Sequence, residues 1–421
     1  MISLALLALA ADVSFLNVEI AVKQGNGFSP CEPSVAISRT NPDVIVAGAV
    51  LDNVMVSQDG GKTWRQSQLK SEFGVYGDPT VISNAAGEFY YFHLANPGPQ
   101  DRWLERLVCQ KSTDSGKSWT TLSGVGHNPP KHQDKQWPAV HPTKDEIVLT
   151  WTQFDKYGEK DLKFESNILF SKSIDGGKQW SSPVEINDVS GDCVDGDDTT
   201  EGAVPAVGKD GTVYVTWSAH GVIWFDQSVD GGKTWGNDRA IARQFGGWDQ
   251  EIPGIGRANG MPVLMMDNSG GVNDGNLYCL FADQRAGERD TDIFMIRSTD
   301  GGANWSNAKR INQDAVGAHQ FFPWLAVDQA TGDMFAVFYD RRGLMGLETN
   351  VYVAWSRDGG LTWRERRVNR EVIDMQPKGF FGDYNNIAAQ SGRVVPLWTG
   401  VREGVTSVWA GVLSLADLER R

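Results

Sequence analysis

Residues 228–235 read Ser-Val-Asp-Gly-Gly-Lys-Thr-Trp, and the pattern Ser-x-Asp-x-Gly-x-x-Trp occurs six times along the chain. The copies begin at Ser57, Ser112, Ser173, Ser228, Ser298 and Ser356, so the aspartates fall at 59, 114, 175, 230, 300 and 358. Their mean spacing of about 60 residues is the length of one four-stranded propeller blade with generous loops. The chemistry within each copy is that of a tight hairpin. Its Asp side chain accepts hydrogen bonds from backbone N–H groups of its own turn, and the Gly residues supply positive φ. The Trp then has a fixed direction and buries its ring between neighbouring sheets. Six copies of one carboxylate on six blades make a scaffold, not an active site.

A second pattern surrounds each copy. Inner-strand starts precede it, at Glu32 (EPSVAIS), Asp78 (DPTVIS), Trp137 (WPAVHP), Val204 (VPAVGK), Met261 (MPVLMMD) and Phe322 (FPWLAVD). Pro is tolerated at a strand's first residue because its missing N–H lies outside the ladder. A seventh unit follows without the Asp motif, in three strands beginning near Tyr384, Arg393 and Thr406, and the N-terminal segment ADVSFLNVEIAV supplies its missing outer strand. Pairing both chain ends in one sheet removes the exposed edge of a linear array. The expectation is an all-β chain, with residues 12–421 forming one seven-bladed propeller of four-stranded blades; a six-bladed ring is the alternative. Composition agrees, with 47 Gly and 16 Trp in 421 residues and only 22% charged residues. A net charge of −14 excludes a basic nucleic-acid footprint.

Residues 1–11 (MISLALLALAA) are uncharged and apolar, with a small-x-small site at Ala8-Leu9-Ala10. They read as a short secretory signal, and the protein is expected to be secreted or periplasmic. No other apolar run nears the ~18–20 residues of a spanning helix, so membrane insertion is not expected. The four cysteines are scattered without a CxxC pair, which leaves no zinc spacing. An even count permits disulfides in an exported protein, while Cys109 and Cys279 sit in apolar runs as buried thiols would.

Propeller topology sorts residues by face. The Asp motifs lie on one rim, and inner-strand starts gather around the channel at the other, where a ligand site is expected. Those starts bring Glu32, Asp78, Trp137, Glu201, Arg257, Asp383 and Tyr384. The second-strand ends bring His93, Gln153, Asp155, His220, Asp283, Arg285, Asp340, Arg341 and Arg342. Converging arginines form a bidentate clamp for a carboxylate, or alternatively brace blades by pairing with Asp283 and Asp340. A pair such as Asp78 and Glu201 divides into acid and base if burial raises one of them, and Tyr384 becomes a nucleophile if a carboxylate takes its proton. The acidic stretch from Asp188 to Glu201 has the oxygen density of a Ca²⁺ loop, although such loops are more often simply solvated. No other cofactor motif is present.

The Asp motifs resemble those of the sialidase (neuraminidase) superfamily, the BNR or Asp-box repeats, over essentially the whole chain. The strings YGDP, TTEGAVPAV, GWDQEIPGI and FFGDYNN are similar to those of exported bacterial sialidase-like glycosyl hydrolases. The resemblance implies a retaining glycoside hydrolase that removes a terminal acidic sugar from a glycan; separately, a monomer is expected. It implies Arg257, Arg285 and Arg341 on the sugar carboxylate, Tyr384 as nucleophile assisted by Glu201, and Asp78 as acid/base. Trp137, Glu32 and Asp383 complete the expected binding set. Two features depart from the family: Cys31-Glu32-Pro33 stands where it has Arg-Ile-Pro, and seven blades are counted where sialidases have six. A non-catalytic glycan- or protein-binding propeller and a lyase acting on uronate-containing polysaccharide are the alternatives.

Overall fold

The computed structural model describes residues 15–98, 102–315 and 317–420; the expected signal segment, 1–11, lies outside them. Seven sheets form seven blades, each antiparallel and four strands deep, and blade 6 adds a short strand, Ile373–Asp374, against Glu348–Ser356. The inner strands are Ser34–Ile37, Thr80–Ser83, His132–Val140, Glu201–Val207, Val263–Met266, Gln320–Val327 and Asn386–Gln390. Each packs beside the next, and the seventh returns against the first. Closure runs through the chain ends, as expected: Leu16–Ala21 pairs antiparallel with Val405–Ser414 as the outer strand of blade 7.

The Asp motifs hold the outer hairpins. In the first, Asp59 Oδ1 accepts from the backbone N–H of Lys62 and Thr63 at 3.0 and 2.9 Å, and Ser57 Oγ accepts from Gly61 N–H at 2.8 Å. This network satisfies the backbone donors of a turn that no ladder reaches. The following Trp then wedges onto the preceding blade: Trp235 meets Phe170 edge-on at 5.1 Å, and Trp305 meets Phe225 at 5.3 Å.

At the opposite face, three inner strands begin with a register shift, between Asp134 and Trp137, Glu201 and Val204, and Phe321 and Trp324. The extra residues bend and twist the strand locally. Lys135, Gly202 and Phe322 take positive φ there, as do Glu32 and Asp78 at the starts of blades 1 and 2. Below these starts the channel is closed by aromatic rings. Trp137 lies 4.3 Å from Trp324 and 5.2 Å from Tyr384, centroid to centroid.

Candidate active site

A cavity of about 210 Å³ opens on the face away from the Asp motifs. Glu32, Asp78, Asp134, Lys135, Tyr157 and Arg257 give it polar walls, and Phe28, Tyr76, Trp103 and Phe380 give it aromatic ones. Five different blades, or the segments leading into them, deliver these side chains.

Asp383 is the hub of the charge network. It is buried and accepts from Arg257 Nε at 3.0 Å, from Arg257 Nη2 and from Lys135 Nζ. Burial alone would raise this carboxyl, yet the charges and hydrogen bonds of Lys135 and Arg257 hold it below the ordinary aspartate range. Lys135 also faces Asp78 across 3.7 Å. Arg257 reaches on to Asp195, which accepts the Tyr157 hydroxyl at 2.8 Å and the Trp248 indole at 3.2 Å. Both cations are therefore committed to carboxylates.

Three other acids are driven the opposite way. Asp134 is pushed up to about 8, by burial first and then by the charges of Asp78 and Asp195, with Lys135 opposing. Glu201 is fully buried, and burial together with its charge and hydrogen-bond interactions with Asp195 raises it well above the usual range. Glu32 is raised by burial and by Asp78 and Asp383, while its Oε1 accepts the Asp383 N–H at 3.0 Å. Six carboxyl groups and two cations thus share one small region, and the constellation reconciles them by keeping some acids protonated.

The structure brings Glu32, Asp78, Glu201, Arg257 and Asp383 together but does not assemble the expected three-arginine clamp. Arg285 turns back on its own strand end, with Nε and Nη2 at 2.8 and 3.0 Å from Asp283, and its guanidinium lies 4.0 Å over Phe294. Arg342, rather than Arg341, makes the equivalent pair with Asp340, with Nε 2.7 Å from Oδ2. Arg341 is buried over Phe321 with Nε donating to Thr349 Oγ1 at 3.1 Å, and burial draws it down to about 10. An arginine two residues after an aspartate closes a local fork more readily than it reaches the axis, so the Asp283 and Asp340 pairs of Arg285 and its counterpart Arg342 lie within single strand ends and join no two blades.

Tyr384 and Trp137 also lie outside the cavity wall. Tyr384 is buried in the aromatic plug, its hydroxyl 3.5 Å from the Pro79 carbonyl, and burial with the charges of Glu32 and Asp78 raises the phenol well above its usual range. Asp134, Lys135 and Tyr157 were absent from the candidates drawn from sequence, and Asp195 entered only as part of the acidic stretch from Asp188 to Glu201. The available signal was the dipeptide Asp134-Lys135 just upstream of Trp137-Pro138, hidden because the bulge moves the functional position three residues before the strand's apparent start. The acidic loop has a different use from the Ca²⁺ expectation: it delivers Asp195 to Arg257, while Asp192 accepts from Thr199 and Asp197 from the Asp249 N–H. Among the described residues, no group of three or more His, Cys, Asp or Glu is placed to hold a metal ion. All four cysteines are free and buried.

Residues 145–395 match the BNR repeat-like domain, more than half of the chain. The protein belongs to this family. It is 26% identical over 155 residues to a sialidase of Bacteroides fragilis, covering 30% of this chain and 27% of that one. The chain thus spans about a quarter of that relative's length. Among solved structures, an α-L-arabinanase of Penicillium chrysogenum in complex with arabinobiose superposes with a TM-score of 0.52 at 15% identity, over 96% of this chain and 99% of the other. An ulvan lyase superposes with a TM-score of 0.56 at 12% identity over the same shares. These likenesses establish the shared propeller of this BNR protein.

Proposed function

We propose that this BNR protein is an exported glycoside hydrolase that takes an uncharged sugar residue of a glycan into the cavity. One observation carries the reading: Asp134, protonated up to about pH 8, shares a sugar-sized cavity with Asp78, whose carboxylate faces the Lys135 ammonium at 3.7 Å. A carboxyl raised by burial, beside a second acid that faces an ammonium, is an arrangement suited to glycosidic cleavage. Asp134 donates its proton to the glycosidic oxygen as the C–O bond breaks. Asp78 is the second carboxylate, acting as base toward water or as nucleophile toward the anomeric carbon. Asp383 fixes Lys135 and Arg257, and the aromatic walls take the apolar faces of the sugar.

An acidic sugar in this cavity finds no uncommitted cation, because Lys135 and Arg257 already serve Asp383 and Asp195. The same fact disfavours uronate elimination, which needs the substrate carboxylate neutralised. The similar proteins, named for sialidase, arabinanase and lyase activities, support a glycan-acting role at a coarser level. Export is supported by the apolar start at residues 1–11.

The test is release of reducing sugar from a panel of neutral oligosaccharides and aryl glycosides. Asp134→Asn is expected to lower kcat by about 10²–10⁴-fold, the usual contribution of a general acid. Tyr384→Phe, which alters only a buried hydroxyl, is expected to stay within a few-fold of wild type. A loss in Tyr384→Phe as deep as in Asp134→Asn would restore the tyrosine nucleophile, and a folded protein with no turnover on any glycan would overturn the hydrolase reading.

A further inference from the structure

A second groove, of about 530 Å³, adjoins the cavity and shares two of its walls, Phe28 and Phe380. These rings are 57% and 43% exposed, large apolar surfaces left open at the mouth of a polar cavity. Beyond them the groove runs between the segment after the first strand, the loop leading to Asp383, and the turn at Gly404 to Thr406. Its polar lining includes Lys23, Asn26, Lys378 and Thr406, and none of its eleven lining residues is acidic. That is unexpected in a chain with 53 acidic and 39 basic residues, and more so beside a cavity crowded with carboxyls. Neither lysine is held in an ion pair among the described residues.

From this contrast we infer that the groove is an outer subsite for an anionic sugar of the same glycan chain, a uronate or a sulfate ester. The inference rests on the glycan-acting reading above and adds the substrate class. The charge pattern gives the register: the uncharged residue enters the carboxyl-rich cavity, Phe28 and Phe380 hold the chain at the junction, and the neighbouring anionic residue lies between Lys23 and Lys378. A chain threaded the other way would set its anion against Glu32 and Asp78 and leave both lysines unused. Asn26 adds a neutral donor suited to either anion.

The test is an array of matched neutral, uronate-bearing and sulfate-bearing oligosaccharides on the purified protein, followed by calorimetric titration of the tightest anionic probe and its neutral counterpart. Wild type is expected to prefer the anionic probe by about tenfold, the scale of two exposed charge pairs, with the preference shrinking as NaCl rises. Lys23→Glu/Lys378→Glu, both on the surface, is expected to erase the preference while melting like wild type. Comparison of the uronate and sulfate arms identifies the anion. Equal binding of neutral and anionic probes, or a preference that survives the charge reversal, overturns the outer subsite alone. Absence of binding to every oligosaccharide overturns the glycan-acting reading and this inference with it.

Discussion

Asp134 and Asp383 belong to one constellation, yet their carboxyls are driven in opposite directions. The difference is coverage by cations: Asp383 accepts directly from two, whereas Asp134 is buried beside other acids. For Asp134 the folded value, about 8, lies above the unfolded value of ~4, so the native state holds an extra proton between them. Two outcomes are expected. Turnover falls along an alkaline limb centred near pH 8, and this limb is absent from whatever activity Asp134→Asn retains. Stability declines as pH rises from about 4 toward 8, and Asp134→Asn flattens that part of the decline in melts run at several pH values. For Asp383 the expectation concerns stability. Asp383→Asn leaves Lys135 buried without its main counter-charge and removes one of Arg257's two, a change that costs about 3–5 kcal/mol where a buried pair is broken. Urea unfolding measures it, and a loss below about 1 kcal/mol would show that Asp383 is not the anchor described.

Among elements, the Asp-motif hairpin and the bulged inner strand differ in how far sequence reveals them. The hairpin is written in eight consecutive residues, so its turn, its strand pairing and the direction of its Trp were all legible. Its acid response is equally local. Hydrogen bonds from the Thr63 side chain and N–H hold Asp59 at about 2, and those of Asn304 do the same for Asp300. Because these carboxyls are depressed on folding, their contribution is present above about pH 4 and drains away as pH falls toward 2. A double variant, Asp59→Asn/Asp300→Asn, is expected to melt below wild type at pH 5, with the gap narrowing steadily as pH falls toward 2. Parallel melting curves across that range would remove the carboxylates from the account. The bulged strand is another matter. Its functional residue is set by how many residues crowd into the register shift, and nothing in KQWPAV or EGAVPAV announces that number. Asp78, Glu201, Arg257 and Asp383 were found because topology alone sends inner-strand starts to the axis. Asp134 was missed by the bulge's offset, and Arg285 and Arg341 were misplaced because a strand end does not reveal which way a long side chain turns.

On the scale of the whole molecule, seven blades and their closure were readable because each blade repeats the same instructions and the last lacks one strand. Closure joins a strand pairing, a shared apolar cluster and a few polar ties. Leu16–Ala21 covers the edge of Val405–Ser414, with Ile20 and Ala21 buried. Asn17 ties the same strand to the segment leading out of blade 6, donating to the Val368 carbonyl at 3.0 Å and accepting the Arg370 N–H at 2.7 Å. Arg393 of blade 7 bonds the Gly60 carbonyl and Asp43 of blade 1 at 2.9 and 2.6 Å. The candidate site depends on this seam, since Glu32 stands on one side of it and Asp383 on the other, joined by a 3.0 Å hydrogen bond. A chain beginning at Val22 therefore loses the burial of Ile20, about 2–3 kcal/mol, together with a strand's worth of pairing. It also exposes Val405–Ser414 as an open edge that invites pairing with another copy. The expected result is a melting temperature lower by several degrees and concentration-dependent association in size-exclusion chromatography. Turnover should fall with the seam rather than with any catalytic side chain, so a peptide spanning residues 12–24, added in excess, should restore part of it. A truncated chain that stays monomeric and melts like wild type would show that the ring is held by its inner strands alone.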